Sequence, residues 1–133
     1  SRHAAEFLQA ATMDAAGKFF AIEVAGEAVG GVGFFPGTDI ERYSAEIGYW
    51  LGETLWGRGI TTEAVGLVTD YTFDRLNLLR LFGLPFADNV ASRRVLEKSA
   101  YQYEGLLRAS SVKFGAPRDQ AVYARINDRW LGP

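Results

Sequence analysis

The stretch from Glu46 to Ala64, EIGYWLGETLWGRGITTEA, constrains this chain more than any other. Ala45, Ile47, Tyr49 and Leu51 alternate with Glu46, Gly48 and Trp50, the period of two that predicts a half-buried strand ending at Gly52. A glycine-punctuated turn follows, Trp56-Gly57-Arg58-Gly59-Ile60. Beyond Thr61, Thr62 and Glu63, the residues Ala64, Leu67, Val68 and Tyr71 recur at the i, i+3, i+4, i+7 spacing of a helix. The order predicted is strand, glycine loop, helix.

That order has a chemical use. The first turn of a helix carries N–H groups with no intrahelical acceptor, and the aligned peptide dipoles make that end electropositive, so it attracts anions. Gly57 and Gly59 have no Cβ, which permits positive φ and close approach of a phosphate, while Arg58 and the hydroxyls of Thr61 and Thr62 can add contacts. A phosphate-bearing ligand is implied. On glycine spacing alone, an ordinary strand-to-helix turn with a threonine N-cap reads equally well. Two familiar phosphate loops are excluded: no Lys-Ser or Lys-Thr follows the glycines, and Gly57-x-Gly59 is not GxGxxG.

Composition narrows the chemistry. A chain of 133 residues that is 48% hydrophobic, with nine Phe, six Tyr and three Trp, suits one domain spanning residues 1–133. A net charge of -2 and no basic tract argue against a nucleic-acid surface. No run approaches the ~18 apolar residues of a membrane span and no signal-peptide pattern opens the chain, so a cytoplasmic protein is expected. The absence of cysteine removes disulfides, a thiol nucleophile and cysteine-ligated zinc; with His3 as the single histidine, a Ser-His-Asp triad and a multi-histidine metal site go too. No metal is expected. Carboxylates, hydroxyls and backbone dipoles remain, which suits a cofactor bringing an already activated group.

Along the chain, Phe7, Leu8, Ala11 and Ala15 predict a weak amphipathic helix over 1–16, stopped by Gly17. Phe20 to Val24 and Ala28 to Phe35 read as a hairpin whose second strand, rich in glycine at 30, 31 and 33, marks a bulge, a close approach or loose packing. The helix after the glycine loop runs to about Leu76. Leu78 to Leu84 reads as a strand covered on both faces, parallel to the motif strand. Asp88 or Asn89 caps a helix over Val90–Ser99, in which Arg93 can meet Glu97. Strands over Tyr101–Ser110 and Gln120–Ile126 close the chain around a turn at Gly115-Ala116-Pro117.

EIGYW, WGRGI and TEA, together with Asn89-Val90-Ala91-Ser92-Arg93-Arg94-Val95-Leu96-Glu97-Lys98, resemble the motifs of the GNAT superfamily of N-acetyltransferases, in the branch of the ribosomal-protein N-terminal acetyltransferases. Trp56 fills the first position of the Q/R-x-x-G-x-G/A loop as is common in that branch, whereas Thr61 stands where glycine or alanine is usual. The resemblance covers essentially the whole chain. It implies an α/β GNAT fold, a mixed central sheet flanked by helices, entered at the family's second helix, so that the first strand and helix are expected to be missing and a second copy is one way to cover the exposed edge.

It also implies acetyl-CoA as co-substrate. Trp56, Gly57, Arg58, Gly59, Ile60, Thr61 and Thr62 would hold the diphosphate, and the backbone of Tyr49, Trp50 and Leu51 would pair with pantetheine like an added strand, one amide polarising the acetyl carbonyl. Asn89 and Ser92 would face the pantetheine and thioester, with Arg93 near the nucleotide phosphates. Leu96 occupies the position of the family's usual acid tyrosine, so the expected acid is Ser92, with Tyr101 a weaker substitute. An amine with a pKa near ~10 or ~8 must lose a proton before it attacks, and Glu46 is the candidate base. Each residue also has a plain reading: a helix cap for Asn89, a solvated hydroxyl for Ser92, surface or salt-bridged charges for Arg93 and Glu46. The activity implied is direct acetyl transfer to a primary amine, a protein N-terminal α-amino group by family analogy. A small amine such as a polyamine, aminoglycoside or amino acid is the enzymatic alternative, and a non-catalytic acyl-CoA-binding module is the other.

Overall fold

The computed structural model describes residues 8–14 and 17–133, with nothing stated for the side chains of 8–14, Gly17 and Thr54. Among the described residues seven strands form one sheet: β1 Leu8–Asp14, β2 Gly17–Val24, β3 Glu27–Pro36, β4 Ser44–Leu51, β5 Arg80–Gly83, β6 Gln102–Lys113 and β7 Ala116–Ile126. Their order is β1-β2-β3-β4-β5-β7-β6, antiparallel except for the parallel pair β4 and β5. That parallel pair needs a crossover, which α1 Ile60–Arg75 supplies; α2 Val90–Lys98 follows β5.

The helix expected over 1–16 is corrected where it is described. Residues 8–14 are a strand, paired with β2 from Leu8↔Ile22 to Asp14↔Gly17 around a bulge between Ala10 and Thr12; 1–7 and 15–16 lie outside the described residues. Leu, Gln, Ala and Met favour helix in isolation, but the open ladder of β2 offers backbone partners along a whole strand, and that tertiary pairing outweighs a weak local preference. Gly17 accordingly opens a strand instead of closing a helix. The other expected elements are present with shifted ends, but β5 is not covered on both faces as its apolar run suggested: Leu81 and Gly83 are buried while Arg80 and Phe82, on the other face, are half-buried. The hairpin turn at Ala25-Gly26 has both residues at positive φ, 54 and 82, and α1 begins at Ile60, ahead of the apolar repeat that announced it.

Both helices pack on one face of the sheet. Val32, Phe34, Ala45 and Ile47 meet Ala64, Val65 and Val68 of α1, and Leu96 of α2 reaches the same core, where an added Cβ on Gly83 would lie between Leu96 and Ile47. Leu96, the position of the family's acid tyrosine, is 0% exposed and purely a packing residue. Tyr101 is likewise buried, its hydroxyl 2.7 Å from Thr69 Oγ1 inside the core. On the opposite face, Phe19 and Phe35 stack edge to face with centroids 4.9 Å apart, and the Trp50 indole lies over β3. The glycines of β3 permit that. A Cβ on Gly31 would come within 2.9 Å of the Trp50 indole nitrogen, and one on Gly33 within 2.7 Å of the Phe19 ring.

Candidate active site

The site begins where β4 leaves β5. Their ladder has three rungs, Ser44↔Arg80, Ala45↔Leu81 and Glu46↔Phe82, and then stops, while β4 stays paired to β3 as far as Gly30↔Leu51. The Leu79 amide donates to the Tyr43 carbonyl and the Gly52 amide to the Val29 carbonyl. Successive residues of a strand turn their N–H and C=O to opposite edges, so the odd-numbered residues of β4 face the β5 side. Ile47, Tyr49 and Leu51 therefore present backbone groups to the gap. The Leu51 carbonyl accepts from the Trp56 indole N–H at 2.7 Å; the Tyr49 groups and the Leu51 amide have no strand partner among the described residues. Trp50, by the same alternation, turns its backbone to β3, and its side chain is 64% exposed.

After a 3₁₀ turn at Glu53–Leu55 the chain makes its glycine bend, Gly57 at φ 81 and Gly59 at φ 74. Both are left-handed conformations that residues with a Cβ seldom adopt. Gly59 is the N-cap of α1 and supplies no side-chain cap; the first amide that bonds within the helix is that of Glu63, to the Gly59 carbonyl. The amides of Ile60, Thr61 and Thr62 thus lack intrahelical acceptors, at the positive end of a 16-residue helix anchored by fully buried Ile60. The alternative of a threonine N-cap is not what forms, since Thr61 and Thr62 are inside the first turn.

A cavity of ≈ 520 Å³ joins this bend, the free edge of β4 and one face of α2. It is lined by Tyr49, Trp50, Leu51, Trp56, Gly57, Gly59, Ile60, Thr61, Thr62, Asn89 and Ser92 of the residues expected from sequence, and by Leu55, Ala91, Arg94, Val95 and Lys98, which sequence reasoning missed. The signal was present: 91, 94, 95 and 98 fall at i, i+3, i+4, i+7, one face of a helix. Arg58, Arg93 and Glu46 are not among the lining residues.

Arg93 is spent elsewhere. Its Nε donates to the Tyr123 hydroxyl at 3.0 Å and its Nη1 to the Ala87 carbonyl at 2.8 Å, while Tyr123 in turn donates to Glu97. Arg93 and Glu97 are therefore linked through a tyrosine and not paired directly as their spacing suggested. The positive charge on the cavity wall belongs to Arg94 and Lys98, which carry no ion pair among the described residues.

Asn89 caps α2, its Oδ1 accepting from the Ser92 amide at 3.0 Å, and this cap fixes the first turn that presents Ser92. The Tyr49 hydroxyl lies 3.0 Å from both the Ser92 carbonyl and the Ser92 Oγ. Burial pushes the Tyr49 phenol up to about 12 against the opposing Ser92 hydrogen bond, so Tyr49 is neutral across physiological pH. Glu46 sits on the other face of the sheet, opposite Phe35 on β3 and Phe82 on β5, at the last rung before the strands part. Burial beside these rings raises its carboxyl above the ordinary 4.5, and no ion pair or hydrogen bond among the described residues holds its charge.

The arrangement can bind an elongated anion whose polar backbone continues the sheet, with a carboxylate on one side of the gap and a pair of hydroxyls on the other. No group of metal-ligating side chains occurs among the described residues, and no described helix is long and apolar enough to cross a membrane.

The acetyltransferase (GNAT) domain family matches residues 1–102. The uncharacterized N-acetyltransferase YoaA of Bacillus subtilis (strain 168) is 37% identical over 103 residues, 77% of this chain and 58% of that protein. Among solved structures, the ribosomal-protein-S5-alanine acetyltransferase from Vibrio fischeri superposes with a TM-score of 0.83 at 25% identity, over 88% of this chain and 65% of that one. Mycobacterium smegmatis RimJ in complex with CoA-disulfide superposes with a TM-score of 0.79 at 32% identity, over 87% and 56%. The chain spans about half the length of the curated relatives it matches.

Proposed function

Because the chain belongs to the GNAT acetyltransferase domain family, we propose that it transfers an acetyl group from acetyl-CoA directly to a primary amine, the α-amino group of a protein N-terminus. The observation that carries this reading is the coincidence, in one cavity, of the uncapped amides of Ile60, Thr61 and Thr62 with the unpaired edge of β4. When bound, acetyl-CoA supplies an acetyl group already activated as a thioester.

The residues of this chain do the rest. The glycine bend and the first turn of α1 receive the diphosphate, and Arg94 and Lys98 add positive charge on the opposite wall. The open edge at Tyr49 and Leu51 takes a strand-like chain of amides. Glu46, half-buried and unpaired among the described residues, takes the amine proton; its raised pKa brings a carboxylate closer to the amine it must deprotonate. Ser92 holds a proton for the leaving sulfur. Because alternation puts the Glu46 side chain on one face of the sheet and Tyr49 on the other, proton removal and proton donation occur on opposite sides of the gap. Similarity to the Vibrio fischeri ribosomal-protein acetyltransferase supports a protein N-terminus as acceptor.

The test is the full-length protein with acetyl-CoA and a panel of N-terminal peptides and small amines, following thiol release. Release on peptide N-termini is expected, lost in Glu46→Gln with coenzyme A affinity retained. Tight coenzyme A binding with no release on any acceptor would instead identify a binding module, and release confined to polyamines or aminoglycosides would move the acceptor to small molecules.

A further inference from the structure

The contact between Tyr49 and Ser92 joins residues 43 positions apart, and both line the same cavity. A phenol has one proton, and two acceptors lie 3.0 Å from the Tyr49 oxygen, the Ser92 carbonyl and the Ser92 Oγ. If Tyr49 gives its proton to the carbonyl, its oxygen is left as acceptor and the Ser92 hydroxyl donates back to it, which turns the serine proton away from the cavity. If Tyr49 turns its proton onto Ser92 Oγ, the serine proton is free to point into the cavity. The two arrangements differ by rotation of two hydroxyls with no movement of heavy atoms.

We propose that Tyr49 is the positioning residue that aims the Ser92 hydroxyl into the cavity, where it donates a hydrogen bond to the anionic sulfur. This rests on the acetyl-CoA reading above. The surroundings suit the role: the Asn89 cap fixes the Ser92 backbone, hence its carbonyl, and burial keeps the Tyr49 phenol protonated, so the choice between acceptors persists across the working pH range. The charged groups lining the same cavity, Arg94 and Lys98, are exposed. They favour a bound anion, and the titratable group that acts on Tyr49 from the core is the buried Tyr101 phenol, held by Thr69 and pushed up by burial so that it too stays protonated.

The experiment uses coenzyme A itself as probe. The thiol of bound coenzyme A is titrated by its thiolate absorbance in wild type, Tyr49→Phe and Ser92→Ala, with calorimetric affinity and steady-state kinetics alongside. Donation from Ser92 stabilises the thiolate, so wild type is expected to lower the bound thiol pKa relative to both variants. Tyr49→Phe should lower kcat at least ten-fold while leaving coenzyme A affinity within two-fold, and adding Tyr49→Phe to Ser92→Ala should cost nothing further. A bound-thiol pKa unchanged in Tyr49→Phe, or effects of the two variants that multiply, overturns the proposal. If Tyr49→Phe does not fold, an unchanged thiol pKa in Ser92→Ala overturns it equally. Coenzyme A that fails to bind wild type overturns the acetyl-CoA reading and this proposal with it, whereas normal binding and turnover with an indifferent Tyr49 overturns this proposal alone.

Discussion

Replacing Gly57 by alanine tests the glycine bend from two directions at once. Gly57 lies at φ 81, and a Cβ built there meets nothing within 4 Å, so the substitution creates no clash and its folding cost is conformational. For one residue forced into the left-handed region that cost is about 1–2 kcal/mol. Gly57 lines the cavity proposed to receive the diphosphate, and a methyl that holds the phosphate away from one amide forfeits one charge-assisted hydrogen bond, about 2 kcal/mol or a roughly 30-fold loss of affinity. Ligand linkage makes both terms visible. At a coenzyme A concentration of about 100 times the wild-type Kd, wild type gains about 2.7 kcal/mol; a variant binding roughly 30-fold more weakly gains only about 0.9 kcal/mol at the same concentration. The assay is thermal unfolding with and without coenzyme A, with calorimetry for the affinity. A Gly57→Ala protein less stable in the free state but with wild-type affinity would show that the bend is merely a strand-to-helix turn, and the anion site with it would fall.

Other outcomes follow from neighbouring features. Gly66 sits inside α1 without a positive φ, and a Cβ there would enter open space, so Gly66→Ala should raise stability by about 0.5–1 kcal/mol, roughly 2–5 °C in Tm, the opposite sign to Gly57→Ala. Arg94→Ala and Lys98→Ala should each weaken coenzyme A by roughly 2–5-fold at low salt and by little at high salt, as befits exposed charges. Arg93→Ala should leave affinity alone and lower Tm, because Arg93 holds the Ala87 carbonyl and the Tyr123 hydroxyl; calorimetry at two ionic strengths separates them, and the reverse pattern would refute the assignment. Glu46 holds its proton more tightly folded than unfolded, since burial raises its pKa from the ordinary 4.5. Its charge therefore costs stability increasingly as pH rises through the raised value, and the cost vanishes below the ordinary one. Glu46→Gln should accordingly unfold at a higher temperature than wild type at neutral pH and at the same temperature in acid, while wild-type turnover falls as pH drops through that raised value. Equal Tm values at neutral pH would remove the buried, unpaired carboxylate from the account.

Local chemistry made much of the site legible in advance. Two glycines just ahead of a threonine pair can bend a chain into a helix in few ways, and period-two alternation assigns Glu46 and Tyr49 to opposite faces with no tertiary information. The cap at Asn89 was equally local, because an asparagine three residues before the amide it accepts from needs only the helix itself. Which cation of α2 faces the ligand was not local. Arg93 and Arg94 are adjacent, so they point about 100° apart on a helix, and only the docking of α2 against Tyr123 decides that Arg93 is tied down while Arg94 lines the cavity.

The same division runs through the chain. Sequence determined the strand, bend and helix around Trp56 and the absence of thiol and multi-histidine chemistry, because each depends on neighbours within one turn or on what the composition lacks. The tertiary structure alone decided that residues 8–14 are a strand, since an edge ladder on β2 outweighs a weak helical preference. It also decided that β4 and β5 part after Glu46 and that Tyr49 meets Ser92 across 43 residues. Those depend on strand registers and on how α2 is laid against the sheet, which hydrogen-bond ladders and core packing set over distances no local pattern spans.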